Sequence, residues 1–193
     1  GCFASRQPLH YTSADPANLE AVEAAAAHFG VTPRRVAQGN WSHVYLPAPY
    51  RLTHGKRNPI AVWLDGFELH GKRSYEKYIP REVFALPWEQ LALFLRHLWA
   101  TDGCVWLGKD RIPRIFYGST SRRLIDDLQA LLLRFGIPGR IKISKMGHYR
   151  PWHVFLIGRN DHQRRSLQGI GVHGARGSHA VLCLDLLTTF RDR

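Results

Sequence analysis

The sequence predicts an α+β fold of two pseudo-symmetric halves. Each half runs helix, two strands, helix, two strands, helix, with the first helix of the first half missing. Three observations predict it. Short segments that alternate apolar and polar residues, as half-buried strands do, are interleaved with helical patterns and bounded by Gly, Pro and capping residues. HFGV at 28–31 returns as RFGI at 134–137, and at the same offset of 106 Leu19 falls on Ile125 and Val22 on Leu128. At 193 residues, 45% hydrophobic and 22% charged, the chain has the composition of a folded protein, with room for one domain or for two small halves sharing a core. The repeat weighs most, since overlooking one can misread an entire fold.

Residues 1–50 form the first half. They open on GCF, which matches GCV at 103–105, so the chain is expected to start at the Gly of a first Asp-Gly whose Asp lies one position before Gly1. LHYTSADP at 9–16 reads as a strand running into a helix start, with Asp15 as N-cap and Pro16 at the first helical position. That helix ends at HFGV, and strands follow at about 34–37 and 42–46. Residues 51–86 link the halves and hold a short apolar helix, IAVWLDGFEL, then a basic loop, GKRSYEKYIP. The second half, 87–193, begins with Pro87 as the first residue of a helix reaching 102. RIFYGSTS at 114–121 is its next strand, with Ser119 or Ser121 as the following N-cap, then a helix ending at RFGI and strands at 140–144 and 152–157.

A net charge of +12 and a pI near 10.2 point to a polyanionic partner, nucleic acid above all. The charge is not confined to a tail. RR at 34–35, GKR at 55–57 and at 71–73, and Arg140, Lys142, Lys145 and Arg150 lie in or between strand-like segments, which favours a folded basic surface. No run of 18 apolar residues and no signal sequence is present, so neither membrane insertion nor secretion is indicated. Three widely spaced cysteines, Cys2, Cys104 and Cys183, argue for a reducing, cytoplasmic setting and against a disulfide frame or a zinc site. The eleven histidines show no ligand spacing and read as surface and groove residues.

LFLRHLWATDGCV at 93–105 poses the sharpest question, because an apolar helical pattern ends on Asp102 and Gly103. A carboxylate at a helix C-terminus faces the negative end of the macrodipole, at a cost of roughly 0.3–1 kcal/mol, and so calls for a compensating cation. Taken alone, Asp-Gly is a helix stop followed by a turn, with Gly103 as the stop residue.

Its surroundings decide. LRHLWATDG keeps Leu95, Leu98, Asp102 and Gly103 of the nine-letter motif of the LAGLIDADG homing endonucleases, with GKRSYEKYIPREVF before it and YGSTSRRLIDDLQALLLRFGI after it, an order typical of the endonuclease domain inside inteins. The chain resembles that family over nearly its whole length, with the intein of a bacterial replicative DNA helicase as the nearest kind. The resemblance implies two LAGLIDADG half-domains with saddle-shaped antiparallel sheets, a pseudo-dimeric monomer, duplex DNA as partner and a replicative DNA helicase as host. It implies cleavage of both strands with Mg²⁺ or Mn²⁺, Asp102 serving as metal ligand together with the backbone at Gly103 and, in the first half, at Gly1. Lys142 and Lys145 are the catalytic candidates that would stabilise phosphate charge, set against plain phosphate positioning. Strands with alternating side chains would lay one face in the major groove. Arg114, with Phe116 and Gly118 on its face, Arg140, Arg150 and, in the first half, Arg6, His10, Arg34, Gln38 and His43 are the DNA-contact candidates.

Two departures from the family qualify this. His97 stands where the motif has Gly, so helix packing there must differ. The first motif Asp and the splicing blocks are not present in this sequence, so cleavage and splicing by the chain as given are not expected. A DNA-binding module of the same fold without nuclease activity, as in maturases and regulators, is the alternative; a basic RNA-binding protein would explain the charge but not the repeat.

Overall fold

The computed structural model describes residues 8–145 and 147–189. The chain divides into two compact units, Gly1–Arg73 and Ser74–Arg193. The stretch expected to link the halves is therefore shared between them.

The first unit contains β1 (His10–Ser13), α1 (Pro16–Ala26), β2 (Arg34–Gln38), β3 (Trp41–Tyr45) and α2 (Pro59–Gly66). Its sheet has the order β1-β3-β2, with both pairings antiparallel. Leu9, Ala26, Val31, Ile60, Ala61 and Leu64 make its core, so the apolar helix of the expected linker closes this unit. Asn58 starts α2 by accepting from the Ile60 N–H while its amide donates to the Leu46 carbonyl, which ties the helix to the strand before it.

The second unit contains α3 (Arg81–Phe84), α4 (Trp88–Asp102), β4 (Gly103–Leu107), β5 (Pro113–Ser119), α5 (Arg122–Arg134), β6 (Arg140–Ser144), β7 (Trp152–Ile157), α6 (Asn160–Gly169) and α7 (Gly177–Thr189). Its antiparallel sheet has the order β4-β5-β7-β6. On α4 the buried residues Leu91, Ala92, Leu95 and Trp99 form one stripe at helical spacing, and on α5 Leu124, Ile125, Leu128, Leu131 and Leu132 form another. Both stripes meet Ile115, Tyr117, Phe155 and Ile157 from the sheet. Each such side chain contributes roughly 1.5–3 kcal/mol of burial. Pro87 is the N-cap of α4, one position earlier than expected; its fixed φ suits the cap as well as the first turn.

The repeat read from the sequence holds in three dimensions, residue by residue. Ser13 Oγ accepts from the Asp15 N–H at 3.0 Å, and Ser119 Oγ accepts from the Ser121 N–H at 3.1 Å. Asp15 caps α1 and Ser121 caps α5, each by accepting from a first-turn N–H. Both FG turns place glycine in the left-handed region, Gly30 at φ 64° and Gly136 at φ 63°, where a Cβ is disfavoured. Strand pairing repeats too: His10 faces Tyr45 and Arg34 faces Tyr45 in the first sheet, as Phe116 faces Leu156 and Arg140 faces Leu156 in the second. The main difference is the hairpin link, a two-residue turn at 39–40 against a seven-residue connector at 145–151.

Candidate functional site

The motif helix α4 runs straight into β4. Gly103 has φ −79° and ψ 160°, extended backbone instead of the left-handed stop expected for an Asp-Gly turn. Glycine is needed here for space: a Cβ at Gly103 would overlap the Trp99 indole and the Trp99 carbonyl. The buried indole of Trp99, one turn back on α4, thus sets how closely the strand leaves the helix, and its Nε1 donates to the Cys104 carbonyl at 3.4 Å. Asp102 is carried out to solvent at this junction.

Two neighbours, Tyr117 and Arg176, meet its carboxylate and helix end. Tyr117, 1% exposed, stacks against Trp99 with ring centroids 5.6 Å apart, and its hydroxyl reaches the side chains of Thr101 and Asp102. Burial pushes that phenol far above its usual range, and the Asp102 charge adds to the shift, so it stays a hydrogen-bond donor. Arg176, from the link before α7, donates to the Ala100 carbonyl at 2.6 Å and the Thr101 carbonyl at 3.4 Å. It is a compensating cation for the helix end, placed where the macrodipole is most negative. The same link lies along α4. Arg96 Nε donates to the Ile170 carbonyl at 2.8 Å, and His97 meets His173 with ring centroids 4.5 Å apart. His97 therefore packs against its own unit at the position where the motif has Gly. Burial lowers its pKa, with the His173 and Arg96 charges adding to the effect.

Each sheet turns one face to its core and leaves the other open. On the open face of the second sheet lie Trp106, Arg114, Phe116, Gly118, Arg140 and Lys142, as the register requires of residues paired directly across strands. The predicted alternation in β5 is correct: Ile115 and Tyr117 are buried while Arg114 is exposed. Arg114 is held by Asp110 at 2.7 Å and lies 5.3 Å from the Trp106 ring centroid. Gly118 leaves room for the Trp152 indole, which a Cβ would approach to 3.0 Å.

The first sheet brings His10, Arg34, Gln38 and His43 onto one face, four candidates scattered over 34 positions of sequence. Thr12 Oγ1 is 2.8 Å from His43 Nδ1, Trp41 lies 4.7 Å from the His43 ring, and the Arg34 guanidinium sits over Tyr45 at 5.0 Å. Trp41, Tyr45, Trp106 and Trp152 escaped the sequence reading, although the same period of two that selected Arg114 would have placed them on these faces. Arg176 and Tyr117 carry no such local signal.

Lys142 and Lys145 are not brought to Asp102. Lys142 is on β6 and Lys145 follows it, at the edge of the sheet opposite β4 and three strand steps away, about 14 Å at about 4.8 Å per step. Arg150 sits in the 145–151 connector, not on a strand, with its guanidinium 3.5 Å from the Tyr75 ring centroid. Arg6 and Gly1 lie outside the described residues.

As for a metal, the described residues contain no group of three or more His, Cys, Asp or Glu that could hold one. What α4 offers is one exposed carboxylate at a helix end. A single carboxylate at a helix end suits a hard cation that keeps most of its water. No helix of the described residues is long and apolar enough to cross a membrane.

Residues 89–171 match the LAGLIDADG-like domain. The replicative DNA helicase DnaB of Synechocystis is 45% identical over 170 residues, 84% of this chain and 20% of that protein. Protein RecA of Mycobacterium tuberculosis is 25% identical over 176 residues, 90% of this chain and 21% of that protein. The chain thus spans about one fifth of the length of either relative. Among solved structures, that of I-DmoI in complex with DNA and Mn aligns with TM-score 0.57 at 10% identity, over 84% of this chain and 80% of that one. At that identity the likeness is one of fold.

Proposed function

We propose that this chain, whose residues 89–171 match the LAGLIDADG-like domain, is the homing-endonuclease domain of an intein, binding a long duplex DNA site and hydrolysing it with a divalent metal. One observation carries the reading: Asp102 is an exposed carboxylate delivered by a helix packed on the core through one stripe to the margin of a sheet whose open face is cationic and aromatic. An acid pointing at a polyanion is unfavourable unless a cation stands between them. The occurrence of similar segments within a replicative DNA helicase and within Protein RecA supports a movable insert, and a replicative helicase is the host we favour.

In this reading Asp102 holds the cation by its carboxylate, Tyr117 donates a hydrogen bond toward that carboxylate and Arg176 stabilises the helix end that presents it. The bound metal would supply Lewis-acid stabilisation of the phosphate and a more acidic water. Double-strand hydrolysis calls for a second carboxylate beside Asp102. The second reading is a DNA-binding module of the same fold without cleavage.

Asp102→Asn separates the two. In the full-length protein, the change should abolish nicking and linearisation of supercoiled plasmid carrying the intein-free host site in Mg²⁺ while leaving DNA affinity equal or raised. Undiminished cleavage by the Asn variant would remove Asp102 from the mechanism, and cleavage by neither protein selects the silent module.

A further inference from the structure

Arg34 and Arg140 occupy the same place in the repeat, each the first residue of a sheet's edge strand and each paired across to the inner strand, at Tyr45 and at Leu156. Beside each lies a concavity within its own unit. The first, about 780 Å³, is lined by Arg34, Lys56, Arg57 and His70, with Tyr45 and Asn58. The second, about 560 Å³, is lined by Arg140, Lys142, Arg159 and His162, with Leu156 and Gly158. Neither lining includes a carboxylate.

The internal wiring of the two also matches. In the first, Asp65 lies against Arg57 at 2.6 Å and His70 at 3.3 Å; in the second, Asp161 lies against Arg159 at 3.1 Å and His162 at 3.6 Å. One acid therefore holds an Arg and a His in place in each. In each cup two cations remain without an acidic partner among the described residues: Arg34 and Lys56, each against a tyrosine ring, in the first, and Arg140 and Lys142 in the second. These residues come from segments of different sequence in the two units, since 56–70 has no counterpart in spacing at 158–162. The same charge arrangement is reached twice on one scaffold.

A cup whose cations outnumber the one carboxylate beside them, leaving two without an acidic partner, is built for an anion with several oxygens, and base edges are not that. We propose that these two cups each seat a backbone phosphate of duplex DNA, so that Arg34, Lys56, Arg140 and Lys142 fix the position of the strand while base reading falls to the open face around Arg114. This rests on the DNA-binding reading above. Phosphate contacts set register and orientation and carry no sequence information directly.

The test uses a fluorescein-labelled mixed-sequence duplex of about 30 base pairs for affinity against salt, and a randomised duplex pool for base preference. Arg34→Gln, Lys56→Gln, Arg140→Gln and Lys142→Gln should each weaken binding to all sequences alike and lower the slope of log K against log salt by about 0.9. Arg34→Lys and Arg140→Lys, which keep the charge, should keep the slope. The selected pool should be unchanged for all of these, whereas Arg114→Ala should relax preference at one position by about 1–3 kcal/mol, a five- to 150-fold change in discrimination. An altered base preference in the Arg34 or Arg140 variants with an unchanged slope overturns the proposal alone. A wild-type slope near zero overturns it together with DNA binding.

Discussion

The guanidinium of Arg176 donates to the carbonyl of Ala100 at 2.6 Å, across 76 positions of sequence, and closes the end of α4 beside Asp102. A helix that finishes on a carboxylate leaves like charges together, its own carbonyl oxygens and the acid. Arg176 answers the carbonyls directly and brings one planar cation to the helix end that carries the acid.

Arg176→Gln should therefore destabilise the protein by about 1.5–3 kcal/mol, the range for hydrogen bonds to a charged group. The loss should shrink when Asp102 is also Asn, because part of what Arg176 offsets is then gone. Urea unfolding of the four proteins of this cycle reads the coupling directly, and strictly additive losses would separate Arg176 from the acid.

Gly103→Ala should cost about 1–3 kcal/mol, since the new methyl meets the Trp99 indole and carbonyl where neither can retreat. Trp99 fluorescence should change with it, as the ring lies in direct contact. A variant as stable as the parent would show that the α4–β4 junction relaxes freely and that Gly103 is only a helix stop.

His97 supplies a pH dependence whose sign follows from its environment. Its folded pKa lies below the usual 6.5, chiefly through burial, with His173 and Arg96 the charged groups facing it. The unfolded chain then binds the proton more readily, so this stability is present above about 6.5 and lost as pH falls from there through the folded value. The melting temperature should drop between pH 7 and 5, and His97→Gln should flatten that drop. An equally steep drop in the variant would assign it to other groups.

Much of the fold was legible because its signals are local. The strands at 140–144 and 152–157 follow from period-two alternation, the starts of α1 and α5 from Asp15 and Ser121 next to their own first turns, and the FG turns from a backbone conformation that favours glycine. The same alternation put Arg114 on an open face, and Arg34, Gln38 and His43 fell on one face of the first sheet. Asp102 was singled out by motif, and the structure leaves it exposed at the end of α4.

By itself, then, the sequence determined the repeat, the order of elements and which side of each strand is open, because those depend on residues a few positions apart and on the hydrophobic effect. Only the tertiary structure decided that Gly103 is extended against Trp99, that Arg176 and Tyr117 support the Asp102 junction, and that Lys142 stands three strands from it. It also gathered Lys56, Arg57 and His70 with Arg34. Such contacts depend on strand order and on where a link is laid across a helix, and chain segments far apart in sequence leave no periodicity that records who their neighbours will be.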